Sequence, residues 1–292
     1  MNHEPTDDNN KISMTSYFAK GAGPQLAFDF KDLESSNVTA LKQLSLENVS
    51  SKSLEKLSLT PNLTSLDIKS HDDIDLQPIA QLKSLQSLSL SGGNFETLAP
   101  LLKLRNLTSL DFDHCSVVSF EILHDLLNLS HLRLRDCDID DLSVLRSLSN
   151  LEHLNLNNNN IDDIKPISDL HYLQSLDIDG NEITDIEPLS SLRDITWIHM
   201  AENNISDLGP LTPLKKIKSL NVSRNQITNI DSLSKIPSLQ WISLAFNDIR
   251  DISPLNSLSK LRYLDVEGDS FNQQSTRTHL PNLAAKGIEI FQ

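Results

Sequence analysis

Leucine and isoleucine recur along this chain at a constant interval. The fullest unit reads LEHLNLNNNNIDDIKPISDLHY, from Leu151 to Tyr172, with apolar residues at unit positions 1, 4, 6, 11, 14, 17 and 20. A fixed period of 22 residues is typical of a solenoid, in which each unit contacts only its neighbours. Eleven such units open at Leu41, Leu63, Leu85, Leu107, Leu129, Leu151, Leu173, Ile195, Ile217, Leu239 and Leu261.

Each unit contains a short strand followed by a convex segment, which contains proline in several units. Alternation within LxLxx predicts a strand whose leucines point inward, and stacked units then form a parallel sheet with strands about 4.8 Å apart. Proline neither donates to a ladder nor sits inside a helix, so we predict an extended or short 3₁₀ convex side. It occupies one unit position in six units: Pro78, Pro100, Pro166, Pro188, Pro210 and Pro254.

Unit position 9 predicts a structural ladder through the core. A buried amide has donors and an acceptor for backbone groups of adjoining turns, and the thiol of Cys offers a weak donor in the same place. A redox or nucleophilic role is the alternative for the cysteines, and neighbouring strands would bring them near bridging distance. The predicted ladder residues are Cys115, Cys137, Asn159, Asn181, Asn203, Asn225 and Asn247.

These repeats resemble the 22-residue class of leucine-rich-repeat proteins, and the recurring N-x-I-x-D-I-x-P-L resembles bacterial internalins. The resemblance covers roughly three quarters of the chain. It implies an α/β leucine-rich-repeat solenoid with a curved parallel β-sheet on the concave face and short 3₁₀ or extended segments on the convex face. It also implies recognition of a protein partner.

Three regions follow from the repeat boundaries. Residues 1–40 are expected to form a mobile polar leader and an N-terminal cap, residues 41–260 hold ten full repeats, and residues 261–292 hold a partial eleventh repeat and a C-terminal cap. Within the last region, HLPNLAAKG predicts a short helix ended by Gly287, followed by the strand IEIF. Leu54 and Leu57, which imitate the strand pattern out of step, are assigned to the convex side.

Charge narrows the classes of partner. The 292 residues have a formal net charge of -15 and a pI of about 4.9, which disfavours nucleic acid and anionic membranes because binding to either depends on Lys and Arg. No apolar run approaches the ~18 residues of a membrane span. We therefore expect a neutral or basic protein partner, no membrane insertion, and a chain that is monomeric on its own.

The first ten residues, MNHEPTDDNN, are polar and acidic and do not resemble a secretory signal. We therefore expect a cytoplasmic protein, with export by a non-classical or specialised route as the alternative. The sequence suggests no cofactor and no metal site, because HExxH, phosphate-binding glycine loops, GxSxG and paired CxxC motifs are missing. The carboxylates that recur at unit position 13 are interpreted as turn formers: Asp141, Asp163, Asp185, Asp207 and Asp251.

The residues that vary between units and could be recognised by a partner are expected at the outward-facing strand positions 3, 5 and 7 and at position 8. Both tryptophans of the chain, Trp197 and Trp241, stand at position 3, followed there by Tyr263, with His199 and Phe246 nearby. Large aromatics outside the core are typical of binding hot spots. The alternative is that they pack over neighbouring serines or the C-terminal cap.

A second predicted patch lies in the middle of the sheet. Arg133 and Arg135 are flanked by acidic columns, so they either pair across strands or recognise an acidic group of a partner. His131 and His153 share position 3 beside them and are included as candidate contacts.

The sequence thus predicts a non-enzymatic module that binds a protein on its concave face, as a bacterial effector or an intracellular inhibitor or scaffold. The alternative is a carbohydrate binder or enzyme that uses the exposed tryptophans and nearby acids such as Asp265. Against it, an open curved sheet is expected to leave carboxylates wet and their pKa values unshifted.

Overall fold

The leucines at unit positions 4 and 6 lock successive strands into one parallel sheet. The computed structural model describes residues 38–292, so the predicted leader and most of the predicted N-terminal cap lie outside the described residues. Twelve strands follow one another in this sheet: β1 Gln43–Glu47, β2 Ser65–Lys69, β3 Ser87–Ser91, β5 Ser109–Asp113, β7 His131–Arg135, β8 His153–Asn155, β9 Ser175–Asp177, β10 Trp197–His199, β11 Ser219–Asn221, β12 Trp241–Ser243, β13 Tyr263–Asp265 and β14 Glu289–Phe291.

The pairing of neighbouring strands follows the 22-residue repeat of the sequence. Leu154 lies opposite Leu176, and Ile198 lies opposite Leu220, so residues 22 positions apart are Cα partners. The predicted leucine-rich-repeat solenoid is confirmed. In this sheet, strands β1, β2, β3, β5 and β7 have five residues, whereas β8 to β14 have three. A separate pair, β4 Asn94–Phe95 and β6 Ser116–Val117, lies outside the main sheet.

The convex side is built from short helices, as predicted. The six repeated prolines occupy the first turn of 3₁₀ helices, where a missing N–H is tolerated. Helix α1, Ser51–Leu54, runs into the first full 3₁₀ helix of this side and places Leu54 and Leu57 in the core. The 3₁₀ helices are Val38–Ala40, Glu55–Leu59, Gln77–Gln81, Ala99–Lys103, Glu121–Asp125, Ser143–Ser147, Lys165–Asp169, Glu187–Ser191, Gly209–Leu211, Asp231–Lys235 and Ser253–Ser257.

The aspartates at unit position 13 are turn formers, as the sequence predicts. The carboxylate of Asp141 accepts a hydrogen bond from the backbone N–H of Ser143 at 2.7 Å, and that of Asp207 accepts one from Gly209 at 2.7 Å. Asp163, Asp185 and Asp251 make the same contact two residues ahead. These bonds lower the pKa of Asp141 and of Asp251 below the usual value.

The ladder at unit position 9 runs through the core beside the sheet. Nδ2 of Asn159 donates to the carbonyl oxygens of Leu134 at 2.7 Å and Leu156 at 2.9 Å. Its Oδ1 accepts from the N–H groups of Cys137 and Ile139, both at 3.1 Å. The same donor and acceptor pattern recurs at Asn181, Asn203, Asn225 and Asn247.

The two cysteines extend the ladder toward the N-terminus. Sγ of Cys115 lies 3.2 Å from the carbonyl oxygen of Leu90, and Sγ of Cys137 lies 3.7 Å from that of Phe112. Both thiols are free and buried, and burial raises the pKa of each to about 12. A buried thiol that stays protonated is a poor nucleophile, which favours the structural interpretation.

The C-terminal end of the solenoid is closed by a helix and a final strand. A π-helical turn, Ser275–His279, leads into helix α2, Leu280–Ala285, which buries Leu280 and Leu283. Gly287 then adopts φ +80°, and β14 pairs in parallel with β13. Within residues 38–292, no helix is both long and apolar enough to cross a membrane.

Candidate functional site

Aromatic side chains form a continuous row along the concave face of the last strands. We call Trp197, His199, Trp241, Tyr263 and Phe291 the aromatic row. Successive ring centroids are separated by 5.0, 5.7, 5.1 and 5.0 Å. Each ring is therefore in contact with the next, from β10 to the final strand β14.

The rings of this row cover one another's faces. Trp241 and Tyr263 are stacked with planes only 10° apart, and His199 lies on the other side of Trp241. Tyr263 is in turn followed by Phe291, whose residue surface is 41% exposed. Because its two faces are covered in this way, Trp241 presents mainly its ring edges to a ligand. The predicted placement of Trp197, Trp241 and Tyr263 on one side of a common sheet agrees with the strand register.

Phe246 lies at the side of the concave face, five residues beyond Trp241. It has φ +56°, a left-handed conformation that is uncommon for a bulky residue. The guanidinium of Arg224 lies 4.3 Å from its ring centroid, and Gly268 leaves room for the ring, since a Cβ there would lie 2.6 Å from Cδ1 of Phe246. Arg224 also pairs with Glu202 at 3.5 Å. We call Glu202, Arg224 and Phe246 the side ridge.

Between the aromatic row and the side ridge, the surface is built from small side chains. Ala201, Ser243 and Ala245 are buried, with 7, 4 and 3% exposure, and Ser223 is half-buried. We call this floor, together with the aromatic row and the side ridge on either side of it, the trough. A depression of about 490 Å³ overlaps its N-terminal end. It is lined by Arg133, Arg135, Asn155, Asn157, Asn158, Asp177, Asp179, Ala201, Glu202, Asn221, Ser223 and Arg224.

The two predicted histidine contacts are stacked on each other next to β9. The rings of His131 and His153 are 4.5 Å apart. His153 is only 4% exposed, and burial lowers the pKa of His153 to about 4. The expectation that His153 is presented to a partner is therefore wrong, because its neighbour covers it, while His131 remains half-buried.

The arginines of β7 pair across strands. Nη1 of Arg133 lies 3.3 Å from Oδ2 of Asp111, and Nη1 of Arg135 lies 3.6 Å from Oδ1 of Asp113. Arg133 is largely covered, whereas Arg135 is exposed. Of the two alternatives for these residues, cross-strand pairing is the arrangement that the structure contains.

The carboxylates of the concave face are more buried than the sequence predicts. Asp177 is 5% exposed, and burial raises its pKa well above the usual value. Burial likewise raises the pKa of Asp111 and Asp179 to about 6. The expectation of wet, unshifted carboxylates is wrong, because the side chains of adjacent strands stand only about 4.8 Å apart and cover each other.

Asp177 and His199 form the most buried polar pair of the site. Nδ1 of His199 lies 3.4 Å from Oδ1 of Asp177, and Nδ2 of Asn155 donates to the other oxygen at 3.0 Å. Burial lowers the pKa of His199 to about 4, so both the acid and the imidazole are driven toward their neutral forms. Among residues 38–292, no group of three or more His, Cys, Asp or Glu side chains is arranged to hold a metal ion.

Sequence reasoning missed two parts of this site. Phe291 was assigned only to the cap strand, although the register with Asp265 places it at the end of the aromatic row. The left-handed backbone at unit position 8 was also missed. Its signal is present in the sequence, because Gly92, Gly180 and Gly268 all stand at that position.

Comparison with solved structures places this fold among known solenoids. An internalin from Listeria monocytogenes, inlF, matches with a TM-score of 0.70 and 23% identity, over 95% of this chain and 86% of that one. Internalin inlC2 from the same organism matches with a TM-score of 0.60 and 28% identity, over 66% of this chain and 83% of that one. A plant peptide hormone receptor, RGFR1, solved in complex with RGF2, matches with a TM-score of 0.64 and 20% identity, over 80% and 41% of the two chains.

Sequence comparison gives the family. No curated protein matches the chain. The family model described as a leucine-rich repeat region matches residues 84–285, more than two thirds of the chain. With the 22-residue register of the strands and the internalin neighbours, this match shows that the chain belongs to the leucine-rich repeat family and that its repeats are internalin-like.

Proposed function

We propose that this protein is a non-enzymatic recognition module that binds a protein partner through the aromatic row and the trough. The observation that carries the proposal is the position of both tryptophans, which lie on the ligand side of the sheet while the core is filled by leucine and isoleucine. These side chains lie outside the leucine core and pack against other rings of the aromatic row. Tryptophan and tyrosine are the residues most enriched in binding hot spots.

The immediate surroundings of the row support a protein ligand. Trp197, Trp241 and Tyr263 are partly exposed at the centre, and small buried residues form a floor beside them. The side ridge adds Phe246, which is 41% exposed and held in place from both sides. An aromatic anchor next to a shallow floor and a polar rim is the usual anatomy of a protein interface.

The fold adds general support. Leucine-rich repeats are typical recognition scaffolds, and the receptor RGFR1 was solved with RGF2 bound. A role as a bacterial effector, or as an inhibitor or scaffold inside the cell, is part of our proposal and draws on the internalin-like repeats. Following the location of the full chain and of a chain without residues 1–20 in the source cell tests whether it is cytoplasmic or exported.

A carbohydrate ligand fits the row less well. Sugars stack on open aromatic faces, whereas Trp241 is covered by His199 on one side and Tyr263 on the other. A catalytic role would fall to Asp177 and His199, whose perturbed pKa values are typical of active sites. However, Oδ1 of Asp177 is buried from solvent, and Asn155 and His199 cover the carboxylate. The carboxylate of Asp177 therefore lies beneath the surface that a substrate would reach.

The test is capture of partners by the wild-type protein and by a Trp197→Ala/Trp241→Ala variant. Each truncation should cost about 2–4 kcal/mol of binding free energy, so a specific partner should be lost from the double variant. The matched control is Ser65→Ala/Ser87→Ala, which changes the same unit position on β2 and β3. Circular dichroism checks that all three proteins are folded. Equal capture by the double variant and the wild type would place the site elsewhere.

A further inference from the structure

The charges around the trough are distributed unevenly. The stretch from Leu173 to Gly268 contains the strands of five units. At unit positions 3, 5, 7 and 8 of this stretch, five side chains are acidic and one, Arg224, is basic. The acidic residues fall into two groups. Asp179 and Glu202 lie at one end, beside Asp177, which burial drives toward its neutral form, and Asp265 and Glu267 lie at the other.

The middle of the same surface is apolar or small. Trp241, Ala245 and Phe246 belong to β12 and the residues after it, and Ser223 precedes them by one unit. Between the two acidic ends there are four strand-to-strand steps, from the unit of Asp179 to that of Glu267, or about 19 Å. The surface thus alternates acidic, apolar, acidic along the stack.

The nearest arginines leave the acidic ends available. Arg133 and Arg135 line the depression at the N-terminal end of the trough, and each forms an ion pair with an aspartate of the preceding strand, Asp111 or Asp113. Glu202 pairs with Arg224, but at 3.5 Å and with both side chains more than half exposed. Within residues 38–292, neither Asp179 nor Glu267 makes an ion pair with a Lys or Arg.

The acidic groups at each end also differ in how they are held. Oδ1 of Asp179 accepts a hydrogen bond from the N–H of Ala201 at 2.6 Å, and Oδ2 of Asp265 accepts one from Ser243 at 2.9 Å. These two carboxylates are fixed by the sheet. Glu202 and Glu267 are exposed and stand beside them at the rim, where they can follow a flexible cationic side chain.

From this pattern, and resting on the proposed function, we infer the chemistry of the partner. We propose that the trough binds a protein segment in which an apolar residue is flanked on both sides by Lys or Arg, with the apolar residue between Trp241 and Phe246 and the basic groups at the acidic ends. Opposite charges facing each other across an interface determine which partner binds and accelerate its approach. A basic segment should therefore bind the trough more tightly than an acidic one.

Three synthetic, dye-labelled peptides test this directly by fluorescence anisotropy. Each has a Leu-Trp-Leu centre flanked on both sides by two lysines, two glutamates or two serines. The lysine-flanked peptide should bind roughly tenfold tighter than the serine-flanked one at low salt, and the glutamate-flanked peptide should bind most weakly. The preference should shrink in 0.5 M NaCl, because screening weakens exposed charge pairs.

A charge-reversal variant sharpens the test. Glu202→Lys/Glu267→Lys changes two exposed side chains, so it should fold normally, and it should shift the preference toward the glutamate-flanked peptide. The control Glu47→Lys/Glu55→Lys makes the same change of net charge at exposed positions near β1, and it should keep the lysine preference.

The outcomes separate the two proposals. If the lysine-flanked peptide fails to bind, or binds no better than the serine-flanked one, the basic partner is excluded. If a different peptide binds and Trp197→Ala/Trp241→Ala abolishes that binding, the aromatic row still recognises protein and only the inferred charge is wrong. If peptides bind equally well to that double variant, the proposed function fails as well.

Discussion

The first five units and the units after them hold the same sheet together in different ways. In the first group, strands have five residues, and unit position 9 holds Val49, His71, Gly93, Cys115 and Cys137. From β8 onward the strands have three residues, and position 9 holds asparagine from Asn159 to Asn247. The strands shorten at the unit where the first asparagine appears. Backbone hydrogen bonds between units continue beyond these shorter strands, for example from the N–H of Leu156 to the carbonyl oxygen of Asp177 at 2.8 Å, and the asparagine amides add side-chain hydrogen bonds to them.

The concave surface changes nearby. Position 3 carries Gln43, Ser65, Ser87 and Ser109 in the first four units, but Trp197, Trp241 and Tyr263 in the later ones. Tryptophan and tyrosine thus stand at this position only among the later units, where Ser175 and Ser219 alternate with them. The aromatic binding surface that we propose therefore belongs to the asparagine-containing units, while the first four units present small or polar side chains at the same position.

Among the differences between the two regions, the largest effect on stability is expected when the glycines at unit position 8 are substituted. A Cβ at Gly92 would lie 2.2 Å from the backbone oxygen of Ser70, whereas one at Gly268 would meet the movable ring of Phe246. With the left-handed conformation added, Gly92→Ala should lower the free energy of unfolding by about 2–5 kcal/mol. Gly268→Ala should cost less, roughly 1–2 kcal/mol, because the Phe246 ring can move aside. Urea unfolding measures both, and equal losses would contradict the distinction between rigid and movable neighbours.

The ladder residues should also differ between the regions. Asn203→Ala leaves the N–H of Ile183 and the carbonyls of Ile178 and Ala201 without their side-chain partner. The expected loss of stability is about 1–3 kcal/mol. Cys115→Ala removes only a weak S–H donor and should cost less than Asn203→Ala. If chemical denaturation shows the two losses to be equal, or the Asn203 loss to be near zero, the ladder does not stabilise the later units as described.

A third test concerns the buried carboxylate of the later units. Burial raises the pKa of Asp177 in the folded state, so its contribution to stability is complete below the unfolded pKa and is lost as pH rises through the folded pKa. Asp177→Asn should therefore raise the melting temperature at pH 8 and have little effect near pH 4. Asp141 is the control of opposite sign, because hydrogen bonds lower its pKa and the stability it adds appears above the unfolded pKa. An Asp177→Asn effect that does not change with pH would show that the carboxylate is not desolvated.

The smallest effect is expected at the thiols of the earlier units. Cys115 and Cys137 should react with an aromatic disulfide reagent only after unfolding, because both are buried and burial raises the pKa of each to about 12. Absorbance at pH 8 with and without denaturant follows the reaction. Rapid labelling of either thiol in the folded protein would show that these units open locally.

Much of this architecture could be predicted from the sequence, because the repeat fixes it. Leucines at a constant interval determine the register, and proline and aspartate at fixed unit positions determine the convex turns. The position of Trp197 relative to Trp241 follows from the same interval.

Other features depend on contacts that a one-dimensional pattern does not contain. The burial of Asp177 comes from Asn155 and His199 on the two adjoining strands, and that of His153 comes from the stacked ring of His131. Phe291 joins the row only because the chain returns after helix α2 to add one more strand. The pairing of Arg224 with the ring of Phe246 requires the left-handed turns at both positions.

Acrylamide quenching of the intrinsic fluorescence of the full-length chain tests the central claim most directly, because both tryptophans of the protein belong to the aromatic row. We predict that a saturating amount of a captured tryptophan-free partner, or of the lysine-flanked peptide with Leu-Phe-Leu at its centre, lowers the quenching constant of Trp197 and Trp241. A quenching constant that stays unchanged at saturation would mean that the ligand binds away from the concave aromatic row.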